Sequence, residues 1–315
     1  MSQGLQSAAV GDVRPARTGF GWLNRLPPQA FFLVSAVFHY LGPSFAVLLF
    51  ARVDVLGVLW LRIATAAAVF AVWRRPWRLA LRLDPRARWV LIQLGVVLAA
   101  MNTVFYLAVD RLPLSTVGGI EFLGTVLLAA WGVRTKRNVI ALVLTTSGVG
   151  TMAQLRLVAE PLGFAFSFAN CALFLLYVIL GHRIANSGTA GGRRMSSAID
   201  RLGASMLVAA VAITPVGLGR ALPALTDPSL LLAGAAVGLC SSVIPYVVDQ
   251  LAMARLPRAS FALMLALLPM FATLIGAIVL RQIPTLQEVV GVTLVMAGVA
   301  LHQVSTGERK RKCTT

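Results

Sequence analysis

Ten apolar segments dominate the sequence, and each is close to the ~20 residues that an α-helix needs to cross a bilayer. They are apolar around their whole circumference and do not alternate with period two, which favours helices over the strands of a membrane barrel. The segments fall at 30–51, 55–73, 89–109, 113–132, 138–155, 161–181, 200–219, 229–251, 257–280 and 285–303. This pattern predicts an all-α integral membrane protein with ten transmembrane helices.

The charge content argues against a soluble protein. Only 12% of the 315 residues are charged and 58% are hydrophobic, whereas soluble domains carry about 25% charged residues. The net charge of +17 would suggest nucleic acid if the charges formed one basic face. They lie instead in short clusters between apolar segments, as in loops beside anionic lipid. We therefore expect the lipid bilayer, and not nucleic acid, as the macromolecular partner.

The distribution of Lys and Arg predicts the orientation in the membrane. If the N-terminus is cytoplasmic, 22 of the 28 basic residues fall on the cytoplasmic side and five outside, with Arg62 inside a segment. Cytoplasmic loops carry an excess of Lys and Arg, so both termini are expected in the cytoplasm of a bacterial cell. Residues 1–29 are polar and predict a disordered tail without a cleavable signal peptide. Residues 304–315 predict a basic tail.

An internal repeat divides the chain into two halves. Residues 107–113 read Leu-Ala-Val-Asp-Arg-Leu-Pro and residues 251–257 read Leu-Ala-Met-Ala-Arg-Leu-Pro. Gly148 and Gly298 form a second match, whose offset is six residues larger because of a short insertion. Two five-helix repeats, 30–155 and 161–303, have odd helix numbers and must enter the membrane from opposite sides. Such inverted repeats are typical of secondary transporters, with the substrate site near the midplane.

Two acidic residues within the segments are candidates for chemistry, because ionisable groups in a membrane are costly and usually functional. Glu121 is the only acid near the middle of a segment, with no basic residue expected at its depth. It is a candidate for proton exchange or for binding a substrate ammonium, the alternative being a structural hydrogen bond. Asp249 lies in the last turn of the eighth segment, where function and simple contact with interfacial water are equally supported.

Several other polar residues lie within the segments. Asn102 and Tyr106 are one turn apart and share a helix face, which predicts either a polar path or helix–helix hydrogen bonds. His39 and Tyr40 are candidates to line a cavity, or His39 to pack within the bundle. Arg62 is expected to extend its guanidinium outward to the membrane surface.

Other features bear on the backbone and on catalysis. Pro43, Pro245 and Pro269 interrupt backbone hydrogen bonds inside segments, and glycines in the fifth and tenth segments predict close helix approach. With three His and three Cys, no cluster has the pattern of a metal site or a catalytic nucleophile. No phosphate-binding loop is present. We therefore expect no enzyme activity, catalytic residue, metal or cofactor, and transport that runs downhill or uses a gradient.

Short motifs occur in a fixed order along residues 30–303. They comprise Gly42-Pro-Ser-Phe-Ala46, Leu61-Arg62, Pro76-Trp77-Arg78-Leu79, Met101-Asn102, Phe105-Tyr106-Leu107, Pro113-Leu114, Glu121-Phe122, Gly124, Tyr177, Gly181-His182-Arg183, Pro245-Tyr246, Asp249 and Arg255-Leu256-Pro257. Through these motifs the sequence resembles the ten-helix drug/metabolite transporters, and within them the threonine/homoserine exporter subfamily of bacterial inner membranes.

The resemblance implies alternating access, with export of an amino acid or related small metabolite coupled to proton entry by a monomer or homodimer. It implies a central cavity that holds Glu121 and Asn102, with Tyr246 beside Asp249, where the exporter has Glu. The sequence departs from the family at Leu268 and near Gln282, where Glu is usual, and at Thr125, where Pro is usual.

Three other functions are consistent with the composition. The first is a carrier of another solute, such as a drug or a nucleoside-like metabolite. The second is a membrane enzyme acting on lipid-linked substrates, which would need a catalytic cluster at an interface. The third is a helical scaffold, which would need neither a polar midplane nor an inverted repeat. The repeat favours a carrier over the enzyme and the scaffold.

Overall fold

The structure, a computed structural model, describes residues 28–132, 136–153, 160–186, 194–248 and 267–312, and in these residues all regular structure is helical. The described residues contain ten long helices and a short one at Trp77–Arg82. We label the long helices α1 (Pro28–Leu49), α2 (Val55–Arg74), α3 (Pro85–Val109), α4 (Leu114–Gly132), α5 (Lys136–Ala153), α6 (Pro161–Asn186), α7 (Arg194–Thr226), α8 (Pro228–Val248), α9 (Leu268–Leu280) and α10 (Leu286–Lys312). They confirm the predicted all-helical membrane fold.

Five of these helices are long and apolar enough to cross a membrane on length and composition alone. They are Ala30–Leu49, Val55–Arg74, Pro85–Val109, Ile199–Thr226 and Pro228–Val248. Two helices extend well past the predicted segments: α7 begins at Arg194 and α10 continues to Lys312. A helix that leaves the hydrocarbon core no longer needs apolar side chains, so hydropathy marks the membrane-embedded part and not the helix ends. Residues 1–27 lie outside the described part of the chain.

Asp side chains fix the start of two helices, and residues with a left-handed backbone conformation fix the end of two. Asp54 accepts a hydrogen bond of 2.9 Å from the Leu56 backbone amide at the start of α2. Asp227 does the same for α8, accepting from the Ser229 amide at 2.8 Å. The hydrogen bonds from Ser229 hold the pKa of Asp227 below its usual value. Arg75 and Arg281 adopt φ angles of 49° and 54° where α2 and α9 end, and the helices cannot continue through that conformation.

The packing of the helices follows a pseudo-two-fold relation in which each helix corresponds to the one five places later. Three helix contacts map onto themselves when each helix is exchanged for its counterpart, namely α2–α7, α4–α9 and α5–α10. The pair α3–α6 corresponds to α8–α1, α3–α7 to α8–α2, and α4–α6 to α9–α1, and all six are observed. Corresponding helices run in opposite directions because each half has five helices. The predicted inverted repeat is therefore confirmed.

Glycines bring the self-related helix pairs into close contact. A Cβ atom on Gly148 of α5 would lie 2.5 Å from the Gly291 carbonyl oxygen of α10, and one on Gly291 would lie 2.7 Å from the Gly148 carbonyl. A Cβ on Gly57 of α2 would lie 2.5 Å from the Arg220 carbonyl at the end of α7. The prediction of close helix approach through glycines of the fifth and tenth helices is confirmed.

Two hydrophobic cores lie side by side in the bundle. One is built mainly by α4, α5, α9 and α10 and includes Tyr40, Ile120 and Val295. The other is built mainly by α2, α3, α7 and α8 and includes Leu59 and Tyr106. Helix α1 contributes to both cores, with Phe32 in the first and Ala46 in the second. The polar residues described below lie where the two cores meet.

Helix α8 contains a π-helical turn at Leu239–Val243, directly before Pro245. Proline has no amide hydrogen to bond the preceding turn, and a local π adjustment is one way in which membrane helices accommodate it. The neighbouring α1 approaches this turn closely, because a Cβ on Gly42 would lie 2.6 Å from the backbone nitrogen of Ser241. The Ser35 hydroxyl of α1 also donates to the Pro245 carbonyl at 3.3 Å. Single-turn π-helices occur often at functional sites.

Candidate functional site

Six side chains from five helices form a polar group inside the bundle, which we call the polar cluster. Its members are His39 and Tyr40 of α1, Arg62 of α2, Tyr106 of α3, Glu121 of α4 and Ser242 of α8. The two halves of the repeat both contribute, because α8 belongs to the second half. The cluster therefore lies between the halves, where a transporter with inverted repeats binds its substrate.

Arg62 is the centre of the polar cluster. Its side chain is buried, with 6% exposed, and its Nε donates to the Ser242 hydroxyl at 2.9 Å. Its guanidinium carbon lies 5.0 Å from the centre of the Tyr106 ring, a cation–π distance. The expectation that Arg62 extends to the membrane surface is wrong. Hydroxyl and aromatic partners on α8 and α3 hold the guanidinium inside the bundle instead.

Glu121 lies within electrostatic range of Arg62, Tyr40 and Cys171. Arg62 lies about two turns, or about 10 Å, into α2, and Glu121 lies about as far into α4. Both helices begin at the end of the bundle formed by residues 50–54, 110–113 and 281–285, which we call the Arg111 end. The expectation that no basic residue shares the depth of Glu121 is therefore wrong. The Glu121 side chain is partly accessible.

His39 and Tyr40 approach α4 from α1. Tyr40 is almost fully buried, with 1% exposed, and its ring meets that of His39 edge-on at 5.3 Å. The Tyr40 hydroxyl points at α4, because a Cβ on Gly118 would lie 3.2 Å from it. Gly118 is close to one turn before Glu121, so the absence of a side chain at Gly118 lets the Tyr40 hydroxyl approach α4 beside its acid. His39 lies within electrostatic range of Arg62.

Asn102 and Tyr106 are both buried on α3, but the structure links only Tyr106 to the cluster. The Asn102 amide donates to the Leu98 carbonyl of its own helix at 2.7 Å. The Tyr106 hydroxyl is buried without a hydrogen-bond partner in the described residues. A role for Asn102 in binding thus remains a prediction.

Tyr246 lies on α8 one turn beyond Ser242 and packs against the second hydrophobic core. It is within electrostatic range of Tyr177 on α6. Asp249 lies outside the described residues, so its position relative to Tyr246 stays a prediction.

Sequence reasoning missed the serines of α8 and a set of buried polar groups on α4 and α6. Thr116, Ser167 and Asn170 are each 1% exposed, and each has a polar atom without a partner in the described residues. Helices α4 and α6 run parallel, with Leu112 beside Gly163 and Gly124 beside Cys171. The three side chains lie between these two levels. Isolated small polar residues are common in membrane helices, so the spacing of these three in the sequence did not identify them as candidates for a site.

A cavity of about 360 Å³ opens at the Arg111 end. It is lined by Val47, Val109, Asp110, Arg111, Leu112, Pro113, Ser115, Ala272, Thr273, Gln282, Ile283, Pro284 and Glu288. Ala272 on the cavity wall faces Gly118 of α4, since a Cβ added to Gly118 would lie 3.4 Å from the Ala272 methyl group. Gly118 also meets the Tyr40 hydroxyl, so the inner wall of the cavity adjoins the polar cluster.

Known proteins resemble this chain in sequence and in fold. The threonine/homoserine exporter RhtA of Escherichia coli (strain K12) is 29% identical over 268 residues, which cover 83% of this chain and 87% of RhtA. RhtA of Salmonella typhimurium (strain LT2) is 29% identical over 259 residues, covering 81% and 84%. A solved crystal structure with 16% sequence identity superposes with a TM-score of 0.57, covering 87% of this chain and 98% of that one, which shows a common fold.

The second half of the chain matches a family description directly. Residues 172–302 match the EamA-like transporter family, over a region that includes α8 and its π-helical turn. The resemblance read from the motifs and the inverted packing of the helices agree with this match. The chain is thus a multi-pass membrane protein whose second half is similar to the EamA-like transporter family.

Proposed function

We propose that the protein exports amino acids of the threonine or homoserine kind, or related small metabolites, across the bacterial plasma membrane. The observation that carries the proposal is the polar cluster, in which Glu121 and Arg62 lie together between the two halves. A carboxylate and a guanidinium at one depth suit a solute that bears both charges. The similarity to exporters whose names specify threonine and homoserine supports this substrate class.

Alternating access would follow from the inverted repeat. Two halves of opposite orientation can rock around a fixed site, opening it first to one side and then to the other. The cavity at the Arg111 end adjoins the polar cluster, which is the arrangement expected of an entrance open to one side. Proton antiport would use Glu121, because a carboxyl group inside the membrane releases its proton most readily when a cation meets it.

A transport assay tests the proposal. Purified protein is reconstituted into vesicles, and the uptake of a panel of labelled solutes is measured with and without a pH gradient. The panel includes threonine, homoserine, a larger neutral amino acid, a nucleoside and a cationic drug. Accumulation of threonine or homoserine that depends on the gradient would support proton-coupled amino-acid transport. Accumulation of the nucleoside or drug alone would favour the other carriers, and no accumulation would favour the enzyme or scaffold.

The orientation gives an independent prediction. We expect a reporter inserted at residue 190, between α6 and α7, to be cytoplasmic, and one at Asp227, between α7 and α8, to be external. The reason is the excess of Lys and Arg on one side of the membrane. Paired fusions to a reporter active only outside and a reporter active only inside measure both sites. The opposite pattern at these two positions would refute the orientation and reverse the side on which the Arg111 end opens.

A further inference from the structure

Arg62 has a binding capacity that its neighbours do not fill. Its side chain is 6% exposed, and its Nη1 nitrogen is buried without a hydrogen-bond partner in the described residues. A guanidinium carries five N–H donors in a fixed fork. Burying a charged donor without a hydrogen-bond partner costs free energy. Proteins therefore retain such a donor where a ligand pairs with it during function, or where other contacts stabilise its charge.

The contacts that Arg62 does make fix its direction. The Ser242 hydroxyl holds Nε at 2.9 Å, and the Tyr106 ring covers one face of the guanidinium. These contacts use Nε and one face of the guanidinium, and they leave the buried Nη1 without a partner in the described residues. A planar anion that accepts two parallel hydrogen bonds, such as a carboxylate, is the ligand that an arginine fork fits best. A hydroxyl or a carbonyl would accept one of these bonds but would not neutralise the charge.

Glu121 does not already serve as that anion. It lies within electrostatic range of Arg62, yet in the part of the chain that the structure describes no carboxylate is in ion-pair contact with Arg62. The ion pairs recorded there include Arg74–Asp200, Arg111–Asp110 and Arg220–Asp54. Opposite charges that are near but not in contact suit a ligand that carries both charges. The zwitterionic end of an α-amino acid carries its carboxylate and ammonium on one carbon and matches that arrangement.

Two further hydroxyl groups lie on the helices that contact Arg62. The Tyr106 hydroxyl and the Ser241 hydroxyl are both buried without hydrogen-bond partners in the described residues. Tyr106 stacks with Arg62, and Ser241 precedes Ser242 on the π-helical turn. An unpaired hydroxyl on the aromatic ring that stacks with an unpaired guanidinium nitrogen is what a site looks like before an anionic ligand enters it.

We propose that Arg62 binds the carboxylate of the transported solute, with Ser242 and Tyr106 positioning its guanidinium, so that the site selects solutes with a free carboxylate beside an ammonium. This inference rests on the proposed function and assigns the anionic half of its site. It makes the π-helical turn of α8 part of substrate recognition, since that turn supplies Ser242.

Ligand-induced stabilisation of the purified protein tests the assignment without relying on transport. The thermal unfolding midpoint of the full-length protein in detergent is measured with L-threonine, L-threonine methyl ester and L-threoninol. The three compounds share the ammonium, and only threonine has a free carboxylate. A ligand that binds only the native state raises the midpoint, and the stabilisation grows as ln(1 + L/Kd), where L is the free ligand concentration. We expect threonine to raise the midpoint and the two analogues to leave it unchanged at the same concentrations.

Variants connect this selectivity to Arg62. Arg62→Lys keeps the charge but loses the fork, and the affinity for threonine should fall by at least about tenfold. Arg62→Gln should bind no threonine at the concentrations tested. Arg220→Gln is the matched control, because Arg220 pairs with Asp54 at the exposed end of α7 and should leave binding unchanged. If Arg62→Gln does not fold, Ser242→Ala keeps the guanidinium and should weaken threonine binding several-fold without creating binding of the ester.

Three results would overturn the assignment: stabilisation by the ester equal to that by threonine, unchanged threonine binding in Arg62→Lys, or no stabilisation of the wild type by threonine. Vesicle transport of the same compounds is measured in parallel to separate this inference from the proposed function. Carboxylate-selective binding that depends on Arg62, without transport, would keep the assignment and refute the exporter. Transport of threonine and its ester at equal rates would keep a carrier and refute the assignment.

Discussion

Replacing Glu121 with glutamine should abolish pH-driven export while the protein still reaches the membrane at its normal level. The glutamine keeps the shape of the side chain and removes its ability to carry a proton or a negative charge. A charged side chain in the middle of a membrane costs roughly 3 kcal/mol on insertion scales, so losing the charge should not hinder insertion. Initial export rates with an imposed pH gradient, normalised to the amount of protein in the membrane, measure the effect.

Two further variants make the Glu121 experiment specific. Glu160→Gln removes an exposed acid just before α6 and should leave the export rate and its pH dependence unchanged. Glu121→Asp retains a carboxyl group on a shorter side chain and should retain part of the coupling. The glutamine variant also leaves Arg62 without its acidic neighbour, so its unfolding midpoint is measured alongside its transport.

Full export by Glu121→Gln, with unchanged pH dependence, would make Glu121 a structural residue. Asp249, the other acidic candidate in the sequence, would then be the next residue to test for proton coupling. Loss of uptake with and without a gradient, by contrast, would assign Glu121 to substrate binding and leave the proton pathway to another residue.

A single methyl group at Gly148 should separate α5 from α10. In Gly148→Ala the new Cβ would lie 2.5 Å from the Gly291 carbonyl oxygen and 2.9 Å from a methyl group of Val295. The carbonyl belongs to the backbone of the facing helix and cannot rotate away, so the two helices must move apart. Overpacking of this kind costs about 1–3 kcal/mol. The unfolding midpoint of the purified protein should fall accordingly, and Gly148→Leu should prevent stable assembly.

Helix α5 offers a matched control two residues away. A Cβ on Gly150 would have no atom within 4 Å, so Gly150→Ala should leave the midpoint unchanged or raise it slightly, because alanine favours the helix over glycine. The comparison isolates the steric contact from the change in helix propensity. Equal effects of the two alanine substitutions, in either direction, would show that α5 and α10 do not depend on the close approach at Gly148.

Hydropathy and repetition were sufficient to predict the architecture. Every long helix in the described residues overlaps a predicted apolar segment, and the repeated Arg-Leu-Pro corners implied two inverted halves. Both features can be read from the sequence without knowing the fold. Bilayer thickness sets the length of each apolar segment, and the repeat appears when the two halves of the sequence are compared. Helix ends were less accurate, because Arg194 and Lys312 lie in helices that continue beyond the apolar part of the chain.

The interior of the site was less predictable. Glu121 was identified because a lone acid in an apolar segment stands out, but Arg62 was assigned the wrong direction. An arginine at that depth can turn toward the membrane surface or into the bundle, and the choice depends on Ser242 and Tyr106, which lie far away in sequence. The π-helical turn was also invisible, since Pro245 indicated a local break without showing which helix geometry would accommodate it.

The position of α1 has a consequence for biosynthesis. Helix α1 is the first to leave the ribosome, yet its main packing partners are α8 and α9, which are made near the end of translation. Until they arrive, α1 lies in the bilayer with Ser35 lacking its final partner, because Ser35 donates to the Pro245 carbonyl of α8. The Ser44 hydroxyl needs no later helix as a partner, because it donates to the Tyr40 carbonyl of its own helix at 2.9 Å. A nascent chain that stops before α8 would therefore lack the main packing partners of its first helix and, with them, the Ser242 contact that completes the polar cluster.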